Sequence, residues 1–578
     1  MDKNRVYFAN RENVSRFFNR WDLLLLILVF SVLFFLGWAS QQMATPYSLG
    51  EPLPISLAPS QLPFYALRTV LRMFIALTFA ILFTFVVGSL AAKNRRAEQV
   101  IIPAIDVLQS VPVLSFLAIS ITGFIHLFPG SLLGPECASI FVIFTAQVWN
   151  MTFSFYQSLK SVPGDLHEVA SMFQLSAWQR FWKVEVPCTL SGLLWNMMMS
   201  MSASWFFVVV SEAIVVAHQD IRLPGVGSYI ALAIEQRDLH AVGYAILTMI
   251  VVIFLYDQIL FRPLIAWSEK FKMEQSGEEE YQSWLIDLIR RSRLITHVDT
   301  GWQMLKDMFV NAQWLRKRVR KTVKEIDFKR QKHMDLIWNV IVLMVLMTSA
   351  WFLSGYILST VSVHEILHVF LLGAATGLRV IVLIILSSML WIPVGVWIGQ
   401  RPHLAQKIQP VIQFVAAFPA NLFYPLFVIA IVGFDLSVEI WVTPLMILGT
   451  QWYILFNVIA GASMIPRDLC LAADNFGVTG WQWWRRLALP GIFPFYITGA
   501  ITAAGGAWNA SIVAEYVSWG NTTLKATGLG EYIQTSTLIG DFPKIALGTA
   551  IMCIYVLIFN HLIWRPLYNL AQERFNFN

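Results

Sequence analysis

Charge is scarce in this sequence. Only 13% of its 578 residues are Asp, Glu, Lys or Arg, against 57% hydrophobic, and mean hydropathy is +0.62. Soluble domains carry about a quarter charged residues, so a soluble globular protein is excluded and a polytopic membrane protein indicated. Cysteine is sparse too. Cys137, Cys188, Cys470 and Cys553 stand singly with no CxxC spacing, which excludes a disulfide framework and a cysteine zinc site. No G-x-x-x-x-G-K-[ST] phosphate loop occurs, so nucleotide chemistry is expected on another polypeptide. The chain is expected to hold no catalytic residue, cofactor or metal, and nothing in it points to nucleic acid.

What is abundant is self-similarity. Pro187 is answered by Pro490, 303 residues later. At the same offset Trp149, Phe153, Pro163, Phe173, Trp178, Trp205, Glu212, Gly225, Gly227 and Tyr229 fall on Trp452, Phe456, Pro466, Phe476, Trp481, Trp508, Glu515, Gly528, Gly530 and Tyr532. Upstream the offset is 307, where Thr69, Leu71, Arg72, Gly88 and Pro112 meet Thr376, Leu378, Arg379, Gly395 and Pro419. Four extra residues in the first copy, near Pro129 to Glu136, account for the change. The chain reads as one membrane unit duplicated and fused.

A span needs about 20 apolar residues. Six candidates occur per copy, at 21–39, 66–91, 104–127, 137–158, 193–217 and 243–262, then 336–357, 367–399, 411–433, 438–460, 493–517 and 545–564. Basic clusters (Lys3 to Arg20; Lys93, Arg95 and Arg96; Lys160, Arg180 and Lys183; Arg401 and Lys407; Arg467, Arg485 and Arg486) fall on one side if both termini are cytoplasmic. The alternate loops 128–136 and 433–437 carry almost none. The flanks of the first span resemble a signal peptide, but a matching span at 336–357 follows a long interior segment, so an uncleaved span is expected. Even span counts give both copies one orientation. The expected fold is therefore all-α: two parallel six-helix repeats related by a pseudo-twofold along the membrane normal, with a pathway walled by both. The expected divisions are a first repeat at 1–266, a charged linker at 267–334 and a second repeat at 335–578. Within the linker Trp284, Leu285, Leu288, Ile289 and Ile295 recur at helical spacing among Arg290, Arg291 and Arg293. That pattern suits a surface helix at anionic headgroups or a regulatory element.

Between spans four and five, each copy carries a related loop, within 165–190 and 468–493. The first reads E-V-A-S-M-F-Q-L-S-A-W-Q-R-F-W-K-V-E-V-P from Glu168 to Pro187, the second L-A-A-D-N-F-G-V-T-G-W-Q-W-W-R-R-L-A-L-P from Leu471 to Pro490. Both resemble the E-A-A…G…L-P motif of the membrane subunits of ATP-binding-cassette (ABC) importers. Further on, S-W-F-F-V-V-V-S-E-A (204–213) and A-W-N-A-S-I-V-A-E-Y (507–516), followed by G-V-G-S-Y-I and G-L-G-E-Y-I, are similar to permeases of the nitrate/sulfonate/taurine/bicarbonate branch. T-x-L-R at 69–72 and 376–379 fits the same branch. The resemblance implies an inner-membrane permease of a bacterial importer for a small anion or zwitterion. It implies two cytoplasmic ATPase subunits that bind ATP and Mg²⁺, and an extracytoplasmic binding protein. In that family the loop is a short helix that docks in a groove of the ATPase. Glu168, Ala170, Gln174 and Pro187, with Ala472, Ala473, Gly477 and Pro490, are its candidate coupling residues. Small residues admit a helix to a groove, glycine ends a turn and proline stiffens the exit. Gln174 replaces the glycine of the first copy and Leu471 the acid of the second, so unequal couplings are expected.

Charges inside spans are costly and mark sites. Arg72 opens span two from the outer face, and Glu212 lies 19 residues into span five, or about 28 Å at the helical rise. Equal depth predicts Arg72–Glu212 and Arg379–Glu515 pairs, either as braces or as gating or substrate contacts. Trp205 and Trp508 suit pathway lining or packing equally. Asn509 and Ser511, opposite Phe206 and Val208, make the second copy more polar. The alternative function is a twelve-helix secondary transporter of the major-facilitator type, which has the same two-by-six symmetry and no ATPase.

Overall fold

Apolar runs with no water to satisfy their backbone groups must close their hydrogen bonds along the chain, and these runs are helices. The computed structural model describes residues 53–110, 112–216, 219–268 and 328–574, with scattered residues in 26–46 and 284–311. Among the described residues nine helices are long and apolar enough to cross a membrane. They are Pro59–Lys93, Leu133–Lys160, Ala177–Glu212 and Leu239–Leu264, then Ile337–Leu358, Val363–Gly399, Val438–Ser463, Gly480–Ala514 and Phe542–Ala571. The chain is an all-α polytopic membrane protein in class. The expected first span, 21–39, lies mostly outside the described residues, as does most of the linker.

The third span of each copy departs from expectation. The 104–127 segment is two helices, Arg95–Ser110 and Ser115–Leu127. The 411–433 segment is likewise split, His403–Ala417 meeting Ala420–Gly433 at 73°. Pro112 and Pro419 sit at the two breaks. Proline lacks the N–H a continuing helix needs and pushes the residue before it out of the α region; Phe418 is accordingly extended, at φ −70° and ψ 129°.

The fifth spans end earlier than expected, at Glu212 and Ala514, and the chain turns into β-hairpins. Strand β1 (Ala213–Val216) pairs antiparallel with β2 (Gln219–Arg222), and β3 (Tyr516–Trp519) with β4 (Thr522–Lys525). The β-branched runs Ile214-Val215-Val216 and Thr522-Thr523 favour extended chain once the helix's apolar face is used up. Two backbone irregularities repeat as well, while the π-turn at Thr84–Gly88 has no counterpart in the helix Val363–Gly399. Wide π-turns at Phe181–Glu185 and Asp257–Phe261 recur at Trp484–Ala488 and Asn560–Trp564.

The chain groups into two compact units that are not the two copies. One consists of Met1–Trp38, Val162–Ser191 and Tyr256–Val323; it holds the first copy's loop between spans four and five and part of the linker. The other holds Ala39–Ser161, Gly192–Leu255 and Lys324–Asn578. Its largest apolar cluster runs through both copies, from Val113, Ile121 and Val142 to Val380, Trp508 and Met552.

Candidate functional site

In the first loop Pro163, extended at ψ 138°, starts the helix Gly164–Met172. Gln174 then takes the left-handed region at φ 50°. Ser176 opens the short helix Ala177–Arg180 with a reciprocal cap to Gln179, and Pro187 enters the first turn of Val186–Glu212. The second loop repeats this course: Pro466, helix Arg467–Asn475, Gly477 at φ 63°, helix Gly480–Trp483, then Pro490 in the first turn of Leu489–Ala514. Glu168, Gln174 and Gly477 are exposed and Ala472 and Ala473 half-buried. Ala170, at 2% exposure, faces inward. The faces left outward carry Val169, Met172 and Phe173 in one loop and Leu469, Leu471 and Phe476 in the other, with Phe173 at 75% and Phe476 at 84% exposure. Alanine spacing did not reveal these aromatics as the outward residues, although their repetition was legible.

The intramembrane charges meet at the ends of the fifth spans. Arg72 is wholly buried, with Nη1 2.5 Å from Glu212 Oε1 and Nε 2.6 Å from Glu136 Oε2. Its Nη2 donates to Glu136 Oε1 at 2.8 Å and to the Pro224 carbonyl at 3.0 Å. Thr69, one helical turn before Arg72, donates to Glu212 Oε1 at 2.6 Å and accepts from the Val226 N–H at 3.1 Å. The Gly227 N–H completes the carboxylate at 2.7 Å from Oε2. Gly227 is required there: a Cβ would overlap the Val209 carbonyl. The T-x-L-R and G-V-G motifs are thus two sides of one joint.

The second copy rebuilds it. Arg379 Nη1 lies 2.9 Å from Glu515 Oε1 and from the Thr527 carbonyl, and Nη2 bonds Glu439. Thr376 donates to Glu515 Oε1 at 2.8 Å and accepts from the Leu529 N–H at 2.9 Å, and the Gly530 N–H reaches Glu515 Oε2 at 2.7 Å. Sequence reasoning missed Glu136 and Glu439, which sit 303 residues apart next to the offset change. It also missed Arg68, whose Nη2 is 2.7 Å from Glu136 Oε1. Ala375 takes its place in the second copy. The first joint therefore has two arginines for two carboxylates and is sealed; the second has one, and the Glu439 side chain is 49% exposed.

Trp205 and Trp508 are both about 1% exposed. The Trp508 ring lies against Tyr555 and Phe559, centroids 6.3 and 5.7 Å away, within the core. Asn509 reaches the other copy: its Oδ1 accepts from the Val113 N–H at 2.7 Å, at the break in the first copy's third span. Ser511 turns back to the Trp508 carbonyl at 2.8 Å. No group of His, Cys, Asp and Glu suited to a metal occurs among the described residues.

The family model of the binding-protein-dependent transport system inner membrane component matches this chain twice, over residues 84–262 and 391–572. The chain belongs to that family. It is an ABC importer permease with two repeats fused in one polypeptide. The chain is 23% identical to the bicarbonate transport system permease protein of Synechococcus elongatus over 185 residues, 32% of this chain and 60% of the relative. It is 30% identical to the nitrate import permease protein of Leptolyngbya laminosa over 114 residues, 20% of this chain and 38% of the relative. The osmoprotectant import permease protein of Salmonella typhimurium is 25% identical over 224 residues, 38% of this chain and 89% of that one. The chain thus spans three-fifths or less of the length of the bicarbonate and nitrate relatives it matches.

Proposed function

We propose that this permease forms the translocation pathway of an ATP-driven importer for a small anion or zwitterion, handed over by an external binding protein. The carrying observation is the pair of loops, each a proline-started helix that ends in an exposed aromatic and a left-handed turn. An apolar side chain in water at the same place in both copies suits insertion into a partner's pocket. One ATPase subunit per loop, each binding ATP and Mg²⁺, fits that geometry. The repeats lie at 1–266 and 335–578, with both termini cytoplasmic in a bacterial inner membrane, as the basic clusters favour. The similarity to bicarbonate, nitrate and osmoprotectant permeases supports the substrate class.

The joints act as braces in this reading, and the first of them is sealed. Nε, Nη1 and Nη2 of Arg72 all donate to protein acceptors and none of its surface is exposed, so a passing anion has no access to it. Reconstitution in vesicles with the ATPase and binding protein tests the function. Uptake should require ATP and the binding protein. Uptake driven by an ion gradient alone would restore the secondary-transporter alternative. A binding panel of nitrate, bicarbonate, taurine and a zwitterionic osmoprotectant, run on the binding protein, would fix the substrate.

A further inference from the structure

The two loops share a left-handed turn, at Gln174 and at Gly477, but hold it by different means, and the difference leads to the linker. The second loop turns on two glycines, Gly477 at φ 63° and Gly480 at φ 56°. Left-handed backbone is free of Cβ conflict only for glycine. The first loop has neither glycine: Gln174 holds φ 50°, and Ala177, at the place of Gly480, starts its helix without a left-handed residue.

Something must therefore hold the first loop's turn against its intrinsic preference. The local device is the cap, in which Gln179 N–H donates to Ser176 Oγ at 3.2 Å and Ser176 N–H donates to Gln179 Oε1 at 3.1 Å. Thr479, which starts the matching helix in the second loop, makes no such side-chain cap. The distant device is in the linker. Gln179 Nε2 donates to Asn311 Oδ1 at 2.9 Å across 132 residues of sequence. That bond fixes the amide plane so that Oε1 faces Ser176. Gln179 is 6% exposed, while its counterpart Gln482 is exposed. Val310, beside Asn311, is 2% exposed, and Leu285 further up the linker is 7% exposed. Both segments belong to the same compact unit as the loop.

We propose that the linker is a brace for the first coupling loop, with Asn311 as the positioning residue that orients Gln179 and so holds a turn the second loop gets from glycine. The 267–334 segment then does more than join the repeats: it makes the first ATPase dock depend on the linker and leaves the second independent of it. This rests on the loops being ATPase docks, and the test separates the two ideas.

The brace itself is read without any ATPase, by amide hydrogen exchange on the full chain in lipid nanodiscs. Asn311→Ala should speed exchange across 174–180 about fivefold, as expected for losing one net hydrogen bond. It should leave 477–483 unchanged. Asn311→Asp, which keeps an acceptor oxygen, should match the wild type. Adding Gln174→Gly to Asn311→Ala should restore slow exchange, because glycine needs no support at that φ; a general folding defect would not be rescued there. In the assembled transporter the same variants should lose and regain transport-coupled ATP hydrolysis in parallel, and Gln482→Ala should do neither. Unchanged exchange in Asn311→Ala, or no rescue by Gln174→Gly, overturns the brace. Faster exchange with full coupling would keep the brace and overturn the docking reading.

Discussion

Arg72 ties three helices together, because it is shared by two buried carboxylates from different helices. Removing one partner of a buried ionic cluster leaves charge unpaired and costs about 3–5 kcal/mol. Arg72→Gln should therefore lower thermal stability sharply in detergent or nanodiscs. The double change Arg72→Gln with Glu212→Gln should recover much of that loss, since Arg68 stays on Glu136; simple additivity in the double-mutant cycle would contradict the joint. The matching Arg379→Gln should cost less, because water reaches Glu439. Gly227→Ala offers an independent check. Its Cβ would overlap the Val209 carbonyl, so folded yield should fall with no charge altered. The sequence made half of this joint legible. Arg72 and Glu212 stood at matching depth in repeated motifs, but Glu136 sits at a helix start just past an insertion, where neither period nor motif marks it.

At the scale of elements, helices were read well and their interruptions poorly. Apolar length announces a span, yet Pro112 and Pro419 break the third spans and the β-branched residues after Glu212 end the fifth, and both are short signals inside long apolar stretches. The loops behaved similarly. Their prolines and the left-handed turn were visible as residue types, whereas burial of Ala170 and exposure of Phe173 depend on packing. Phe173→Ala and Phe476→Ala should each weaken ATPase docking by about 2 kcal/mol or more if the ring fills a partner pocket. Coupled ATP hydrolysis in proteoliposomes and co-purification of the ATPase measure this. Full coupling in both variants would rule out the aromatics as anchors. Ala170→Arg, by contrast, should destabilise the loop itself.

For the whole molecule, the proposed topology, drawn from the basic clusters, puts the alternating loops on opposite sides. In a background lacking the four native cysteines, an impermeant thiol reagent applied outside should label Asp435→Cys and miss Asn94→Cys, both exposed positions. Labelling at 94 would invert or break the topology. Native mass measurement of the assembled transporter should give two ATPase subunits for each copy of this chain.

The bond from Asn509 to the Val113 backbone has a consequence of its own. In a permease made of two identical chains, any polar group facing the axis is necessarily present twice, and a passenger sees the same wall whichever way it is turned about that axis. Covalent fusion lifts that restriction. Here asparagine stands in one copy and Phe206, packed against the apolar core, at the matching place in the other, so the polar tie between the copies is made from one side only. Fused halves are thereby free to drift further apart in sequence without losing their common fold.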